Sequence, residues 1–354
     1  MSYALPYVER IASYPTVTVN PEQPMIKLDQ NESPYPPAST VIRALASAAE
    51  SSARLYPDAS CSALRDALAK KHGVQRDRII IGNGSSELIA ALFHTFVGSE
   101  RTAALPYPTF AMYETAAAAA NASVIRVQTD SGFAIDPDAL LAANASVIAL
   151  VNPNAPTGRL LQPSEIERIV QCAPGLVLID EAYIHFAGEA AYSAIPLTQR
   201  YDNVVVLRTF SKAYALSGAR IGYAIGSRSI IEAFEKTKPV YNVSGISLSL
   251  AYSALQGEEY MQLSAAAICA TREKFVSELK RFGFKVIPSE TNFVLCSPPV
   301  SPNVPDAPTL VSKLAEQGFA IRYFDLPRLR DQVRISIGTE TQMNALITQL
   351  ENWY

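Results

Sequence analysis

The sequence predicts an α/β protein: a mostly parallel sheet covered on both faces by helices, followed by a smaller α+β unit. Two observations carry this. Between residues 78 and 207, short apolar runs alternate with helix-length segments, the pattern of parallel strands joined by crossover helices. After residue 257 the alternation stops, and a long helix leads into strands clustered about a single helix.

In chain order, residues 1–35 are rich in Pro, Asn, Tyr and Ser without a helical period, and read as an extended arm. Residues 39–52 and 60–72 are Ala/Leu-rich helices, separated by the turn Tyr56-Pro57-Asp58. Strands are expected at 78–81, 102–105, 123–127, 146–151, 176–179 and 204–207, with helices at 86–97, 109–120 and 163–172. Residues 257–282 predict one long helix. Strands at 285–287, 292–296, 320–323 and 332–337 then surround a helix at 309–317, and a terminal helix ends the chain. The Pro-rich stretch 298–308 is a surface loop within this second unit.

Composition narrows the partners. With a net charge of −3 over 354 residues, there is no basic field to recruit nucleic acid or an anionic membrane. Small molecules and other protein chains are the expected partners. The four cysteines (Cys61, Cys172, Cys269, Cys296) are far apart and lack metal-ligand spacing, so no metal site is expected. Buried free thiols in a reducing compartment are the expectation. MSYALPYVERIASYP has no apolar core of a signal peptide, and no apolar run approaches the ~20 residues that span a bilayer. A cytoplasmic location is therefore expected.

Ligands of open α/β sheets collect at the carboxyl ends of the strands, so the residues after each strand are the candidate site. Gly82-Asn83-Gly84-Ser85-Ser86-Glu87 opens a helix, where glycines permit close approach and free N–H groups attract an anion. Asn152-Pro153-Asn154-Ala155-Pro156-Thr157-Gly158 is a rigid turn that would fix an amide. Asp180-Glu181-Ala182-Tyr183 puts two carboxylates directly after an apolar strand, costly unless one meets a cation. The last end carries Thr209, Ser211, Lys212 and Arg220. An arginine forks onto phosphate, and a lysine with cationic neighbours becomes a nucleophile. Singly, each could be an N-cap, a plain loop or a solvated side chain. Together they supply what pyridoxal phosphate needs: an anion site, a carboxylate for the ring nitrogen, donors for the phenolic oxygen and an amine. No GxGxxG follows a first strand, which disfavours a dinucleotide-dependent dehydrogenase.

The ordered set GNGSSE, PYPTFAMY, NPNAPTG, DEAY, TFSKAYALSGARIGY and VRISIG resembles fold-type I pyridoxal-phosphate aminotransferases, closest to their histidinol-phosphate branch, from KLDQNESPYPP onward. The resemblance implies the three-layer, mostly parallel sheet of the aspartate aminotransferase-like fold. It also implies a large cofactor domain over 36–245 and a small domain over 246–354 joined by residues 1–35. A homodimer with sites at its interface is implied as well. Carried over, Lys212 would bind the cofactor covalently and move the α-proton, Asp180 would pair with the ring nitrogen, and Tyr183 would donate to the phenolic oxygen. Gly84, Ser85, Ser86, Thr209, Ser211 and Arg220 would hold the phosphate, joined by Tyr56 of the partner subunit. Arg334, Arg322 and Tyr14 would bind the substrate's anionic end. At the position where the branch stacks a tyrosine on the ring stands Phe110, and Ala155 replaces an asparagine, leaving Asn154 as the candidate amide. The implied reaction is amino transfer from L-histidinol phosphate to 2-oxoglutarate. An aromatic or broad-specificity amino-acid aminotransferase and a phosphothreonine decarboxylase are the alternatives.

Overall fold

A computed structural model describes residues 3–11, 25–51 and 54–354. The strands in chain order are β1 (Ile26–Leu28), β2 (Ile79–Gly82), β3 (Thr102–Tyr107), β4 (Ser123–Gln128), β5 (Val147–Val151), β6 (Leu176–Asp180), β7 (Val204–Thr209), β8 (Gly222–Gly226), β9 (Lys285–Val286), β10 (Phe293–Ser297), β11 (Phe319–Tyr323) and β12 (Val333–Ser336). Seven of them form one sheet in the order β2-β8-β7-β6-β5-β3-β4. The other five form a second sheet, β1-β11-β12-β10-β9.

Apart from the edge strand β4, whose residues are exposed or half-buried, the large sheet is buried on both faces, as its near-continuous apolar strands require. Side chains alternate across a strand. Ile79, Ile81, Val204 and Val206 accordingly enter one core, while Ile80, Val205 and Leu207 enter another on the opposite face. Helices such as Pro163–Cys172 and Gly84–Leu92 cover these faces. The result is the expected three-layer architecture.

One strand departs from the expected pattern. β8 lies between β2 and β7 and is antiparallel to both, while β3 to β7 pair in parallel. Glycines bound its short run, Gly-Tyr-Ala-Ile-Gly, so it carries a weak strand signal. Gly222 is needed there: a Cβ would lie 2.6 Å from the Ser85 nitrogen and 2.9 Å from the Arg208 carbonyl.

In the second sheet, β1 pairs in parallel with β11, matching Ile26 to Phe319 and Leu28 to Ile321. The remaining pairs are antiparallel. The helix Glu258–Arg281 packs near residues 184–186 and also against β9 and β10, spanning the two sheets. Cys61 and Cys296 are buried, but Cys172 is exposed on the last helical turn before Ala173, contrary to the expected buried thiol. No described helix is long and apolar enough to cross a membrane.

Candidate active site

The five parallel strands β3 to β7 end along one edge. Strand register sets Val151 beside Asp180 and Asp180 beside Leu207. Thr209 and Gly82 both lie opposite Gly222. The candidate segments after β2, β5, β6 and β7 are thereby neighbours.

Asp180 is buried, and burial raises its carboxyl pKa to about 6. Two donors oppose that: Tyr113 Oη gives its hydrogen to Oδ2 at 3.0 Å, and the Ala182 N–H donates to Oδ1 at 3.1 Å. A buried carboxylate so held is suited to a cationic ring nitrogen, whose charge would draw the pKa back down. Tyr113 has no exposed surface and stands edge-on to both Phe93 and Phe110, with ring centroids 6.5 and 6.4 Å apart. It escaped the sequence reading, although its place three residues after Phe110, on the Met112–Ala119 helix, was the available signal. Tyr113→Phe is expected to move the Asp180 pKa further up. Cofactor affinity near neutral pH should fall by about tenfold, as for a hydrogen bond to a charged group, and the acid limb of cofactor retention should shift to higher pH. Equilibrium titration of the apoprotein with pyridoxal phosphate measures both.

Lys212 is half-buried, and its Nζ donates to the Gln30 and Asn31 carbonyls, each at 3.1 Å. Burial, with Arg334 and Arg220 nearby, lowers its pKa to about 7, opposed by Glu32 and Asp180. A lysine so poised is a nucleophile and proton carrier at neutral pH. Its Nζ lies 5.7 Å from the centroid of the Tyr183 ring. Tyr183 is buried, and its hydroxyl accepts a hydrogen bond from Asn31 Nδ2 at 2.9 Å.

The anion turn follows β2. Gly84 has φ +75°, and a Cβ there would lie 2.6 Å from Arg220 Nη2. Only a glycine leaves the guanidinium its place beside the start of the Gly84–Leu92 helix, where Ser85 and Ser86 are half-buried. Arg220, itself at φ +52°, donates to the Ser217 carbonyl at 3.0 Å and to Ser211 Oγ at 3.5 Å. The Ser211 N–H is bound by Thr209 Oγ1 at 3.1 Å. The structure therefore brings Gly84, Ser211, Thr209 and Arg220 together.

Asn154, expected to contact the ring, is wholly buried and engaged within its own neighbourhood. Its Nδ2 donates to the Pro108 carbonyl at 3.1 Å and to Thr157 Oγ1 at 2.9 Å, and its Oδ1 accepts from Thr109 Oγ1 at 2.8 Å. The amide ties the 152–158 loop to the segment that carries Phe110. Ala155 is buried and brings no polar group.

On the second sheet Arg322 and Arg334 face each other across the antiparallel β11–β12 pair. Their guanidinium carbons lie 5.5 and 5.4 Å from the centroid of the Phe324 ring, and Arg334 donates to the Asp29 carbonyl at 2.7 Å. Two guanidiniums gathered about one aromatic ring suit an anionic group. Tyr56 is 84% exposed and stacked on Tyr241, ring centroids 4.8 Å apart. Tyr14 lies outside the described residues. His185, two residues after Tyr183, is buried beside Tyr214 and Glu189.

Behind the strand ends lies an ion-pair cluster that sequence reasoning missed. Arg208, inside β7 with no exposed surface, donates through Nε to Glu181 Oε2 at 2.7 Å and through Nη1 to Glu189 Oε1 at 2.8 Å. Its Nη2 reaches Ser193 Oγ at 2.9 Å. A charged residue in the run Val-Val-Val-Leu-Arg-Thr was the available signal.

A ring with a phosphate, a basic nitrogen and a phenolic oxygen fits these donors. The Arg220 guanidinium seated against Gly84, the buried Asp180 carboxyl and the near-neutral Lys212 would suit the three ends of pyridoxal phosphate. Fold and site thus define a pyridoxal-phosphate-dependent enzyme of the aspartate aminotransferase-like fold. The sequence pattern of the family described as "Aminotransferase class I and II" matches residues 23–350, and the chain belongs to that family. It is 39% identical, over 93% of its length and 94% of the relative's, to histidinol-phosphate aminotransferase 2 of Rhizobium meliloti (strain 1021). Against the histidinol-phosphate aminotransferase of Microcystis aeruginosa (strain NIES-843 / IAM M-2473), identity is 37% over 92% of this chain and 91% of the relative. Among solved structures, the histidinol-phosphate aminotransferase of Sinorhizobium meliloti in complex with pyridoxal-5'-phosphate superimposes with a TM-score of 0.90 at 27% identity, covering 99% of this chain and 97% of that one.

Proposed function

We propose that the protein is a histidinol-phosphate aminotransferase, transferring the amino group of L-histidinol phosphate to 2-oxoglutarate. The arginine pair Arg322 and Arg334 carries this reading, because two guanidiniums set opposite each other suit a doubly charged phosphate better than a single carboxylate. The relatives' own activities, at 37–39% identity over most of the chain, support it.

Pyridoxal phosphate supplies the electron sink that makes an amine's α-hydrogen acidic. Gly84, Ser85, Ser86, Thr209, Ser211 and Arg220 would hold its phosphate, Asp180 its ring nitrogen, Tyr183 its phenolic oxygen and Phe110 its ring face. Lys212 Nζ, near neutral, takes the proton from the substrate's Cα and returns it as a general acid–base. The carbonyls of Gln30 and Asn31 hold that nitrogen in place meanwhile. Arg322 and Arg334 orient the donor through its phosphate, and Tyr14 is proposed to join them.

The chain divides, on this reading, into a cofactor domain over 36–245 and a small domain over 246–354 with residues 1–35. The protein works in the cytoplasm as a homodimer. The exposed Tyr56 supports the dimer, since a ring on the surface would be available to a partner's phosphate site.

Arg322→Ala separates the substrates. The KM for L-histidinol phosphate is expected to rise by about a hundredfold, from loss of a charge-assisted contact, with aromatic amino acids little affected. Steady-state kinetics with both donors measure it. Equal losses for both, or a wild type that prefers aromatic amino acids or releases CO2 from phosphothreonine, would contradict the substrate reading.

A further inference from the structure

Asn31 sits where the two sheets meet. It follows β1 with φ +56° and is buried. Its N–H donates to Ser336 Oγ at 2.9 Å, and Ser336 returns its own hydrogen to Asn31 Oδ1 at 3.1 Å. The amide oxygen thus faces Ser336. Nδ2 is therefore turned to Tyr183 and donates to its hydroxyl at 2.9 Å. The Asn31 carbonyl accepts from Asn292 Nδ2 at 3.0 Å and from Lys212 Nζ at 3.1 Å. A single residue joins the second sheet to the ends of both β6 and β7.

A phenolic hydroxyl has one hydrogen and two lone pairs. Asn31 donates into a lone pair, so the Tyr183 hydrogen stays free for another acceptor, and among the described residues that hydroxyl makes no other hydrogen bond. A hydroxyl that accepts one bond also donates a stronger one. Burial raises the Tyr183 pKa, while Arg334 and the Asn31 amide oppose it.

We propose that Asn31 is a positioning residue that sets the polarity of the Tyr183 hydroxyl. It keeps the tyrosine donating into the site, toward the ring oxygen of the bound cofactor, and its carbonyl ties Lys212 to the same point. This rests on the pyridoxal-phosphate reading above.

Asn31→Asp tests it in the cofactor-loaded full chain. The change keeps size and the acceptor facing Ser336, but presents a second acceptor to Tyr183. The hydroxyl then turns to the new carboxylate and is lost to the ring oxygen, which becomes more basic. The visible chromophore is expected to titrate about one unit higher, a tenfold change in its acid constant, with kcat falling more than KM rises. Asn31→Ala, which supplies no competing acceptor, is expected to shift it by less. In a Tyr183→Phe background the Asn31→Asp shift should vanish. A shift that persists undiminished without the hydroxyl, or an Asn31→Asp protein that titrates like wild type, overturns the proposal. Should Asn31→Asp fail to fold, Ser336→Ala frees the amide to rotate and is expected to shift the titration the same way; an unchanged titration there overturns it equally. A wild type with no visible band when cofactor is supplied defeats the cofactor reading and this inference with it, an outcome distinct from a band present but insensitive to Asn31.

Discussion

Replacing Lys212 with alanine is expected to abolish amino transfer, by roughly 10⁴-fold or more, because nucleophile and general base are one group. The visible band of the bound cofactor should disappear while the fold survives, since the Gln30 and Asn31 carbonyls that Nζ engages are part-exposed or have a second donor in Asn292. Lys212→Arg keeps a cation facing those carbonyls but no amine that deprotonates, so it should fail as completely. The pH dependence has a definite sign. Burial and the nearby Arg334 lower the Lys212 pKa to about 7, so the neutral amine gains population as pH rises through that value. Capture of pyridoxal phosphate by the apoprotein, followed by stopped-flow absorbance, should quicken with pH and be half-maximal near 7. A rate flat until pH 10 would show an unperturbed lysine.

Glu181→Gln is expected to cost about 3 kcal/mol of stability, the scale of leaving a buried cation short of its partner. Arg208 and Glu181 have almost no exposed side chain, whereas Glu189, the other carboxylate on Arg208, is 27% exposed. Glu189→Gln should therefore cost less. Glu181 also accepts from the Ala194 N–H and from Ser193 Oγ, so its loss loosens the segment behind the site as well. The double change Arg208→Met with Glu181→Leu should recover part of the loss, since apolar residues of similar volume often replace a buried pair at little cost. Chemical denaturation midpoints at unchanged slope measure all three. A Glu181→Gln protein with the wild-type midpoint would mean that Arg208 is satisfied by Glu189 and Ser193 alone.

The sequence made the strand ends legible because each ends in polar residues that an apolar run does not otherwise tolerate. Asp180 after Leu-Val-Leu-Ile and Lys212 after Val-Val-Val-Leu-Arg-Thr-Phe-Ser are of this kind, and the structure sets them on one edge. What escaped was contact across elements. Tyr113 reads as one more aromatic on an Ala-rich helix until its hydroxyl is found on Asp180, 67 residues away. Asn31 lies in an arm without periodicity, and its partners Tyr183, Asn292 and Ser336 are 152 to 305 residues distant. β8 was missed because glycine-bounded strands carry little propensity, although close approach to Ser85 demands Gly222. The resemblance suggested an amide near the ring at Asn154, but the structure engages that amide with Pro108, Thr109 and Thr157.

On the proposed function, Lys212, Asp180 and Tyr183 form a cofactor site fed by a phosphorylated amine. The most direct test is a half-reaction in the cofactor-loaded protein, followed by its visible absorbance. Added L-histidinol phosphate, with no 2-oxo acid present, should bleach the band in a single stoichiometric turnover, and 2-oxoglutarate should restore it. A band that stays unchanged with L-histidinol phosphate but bleaches with an aromatic amino acid would rule out a phosphorylated amine as the donor.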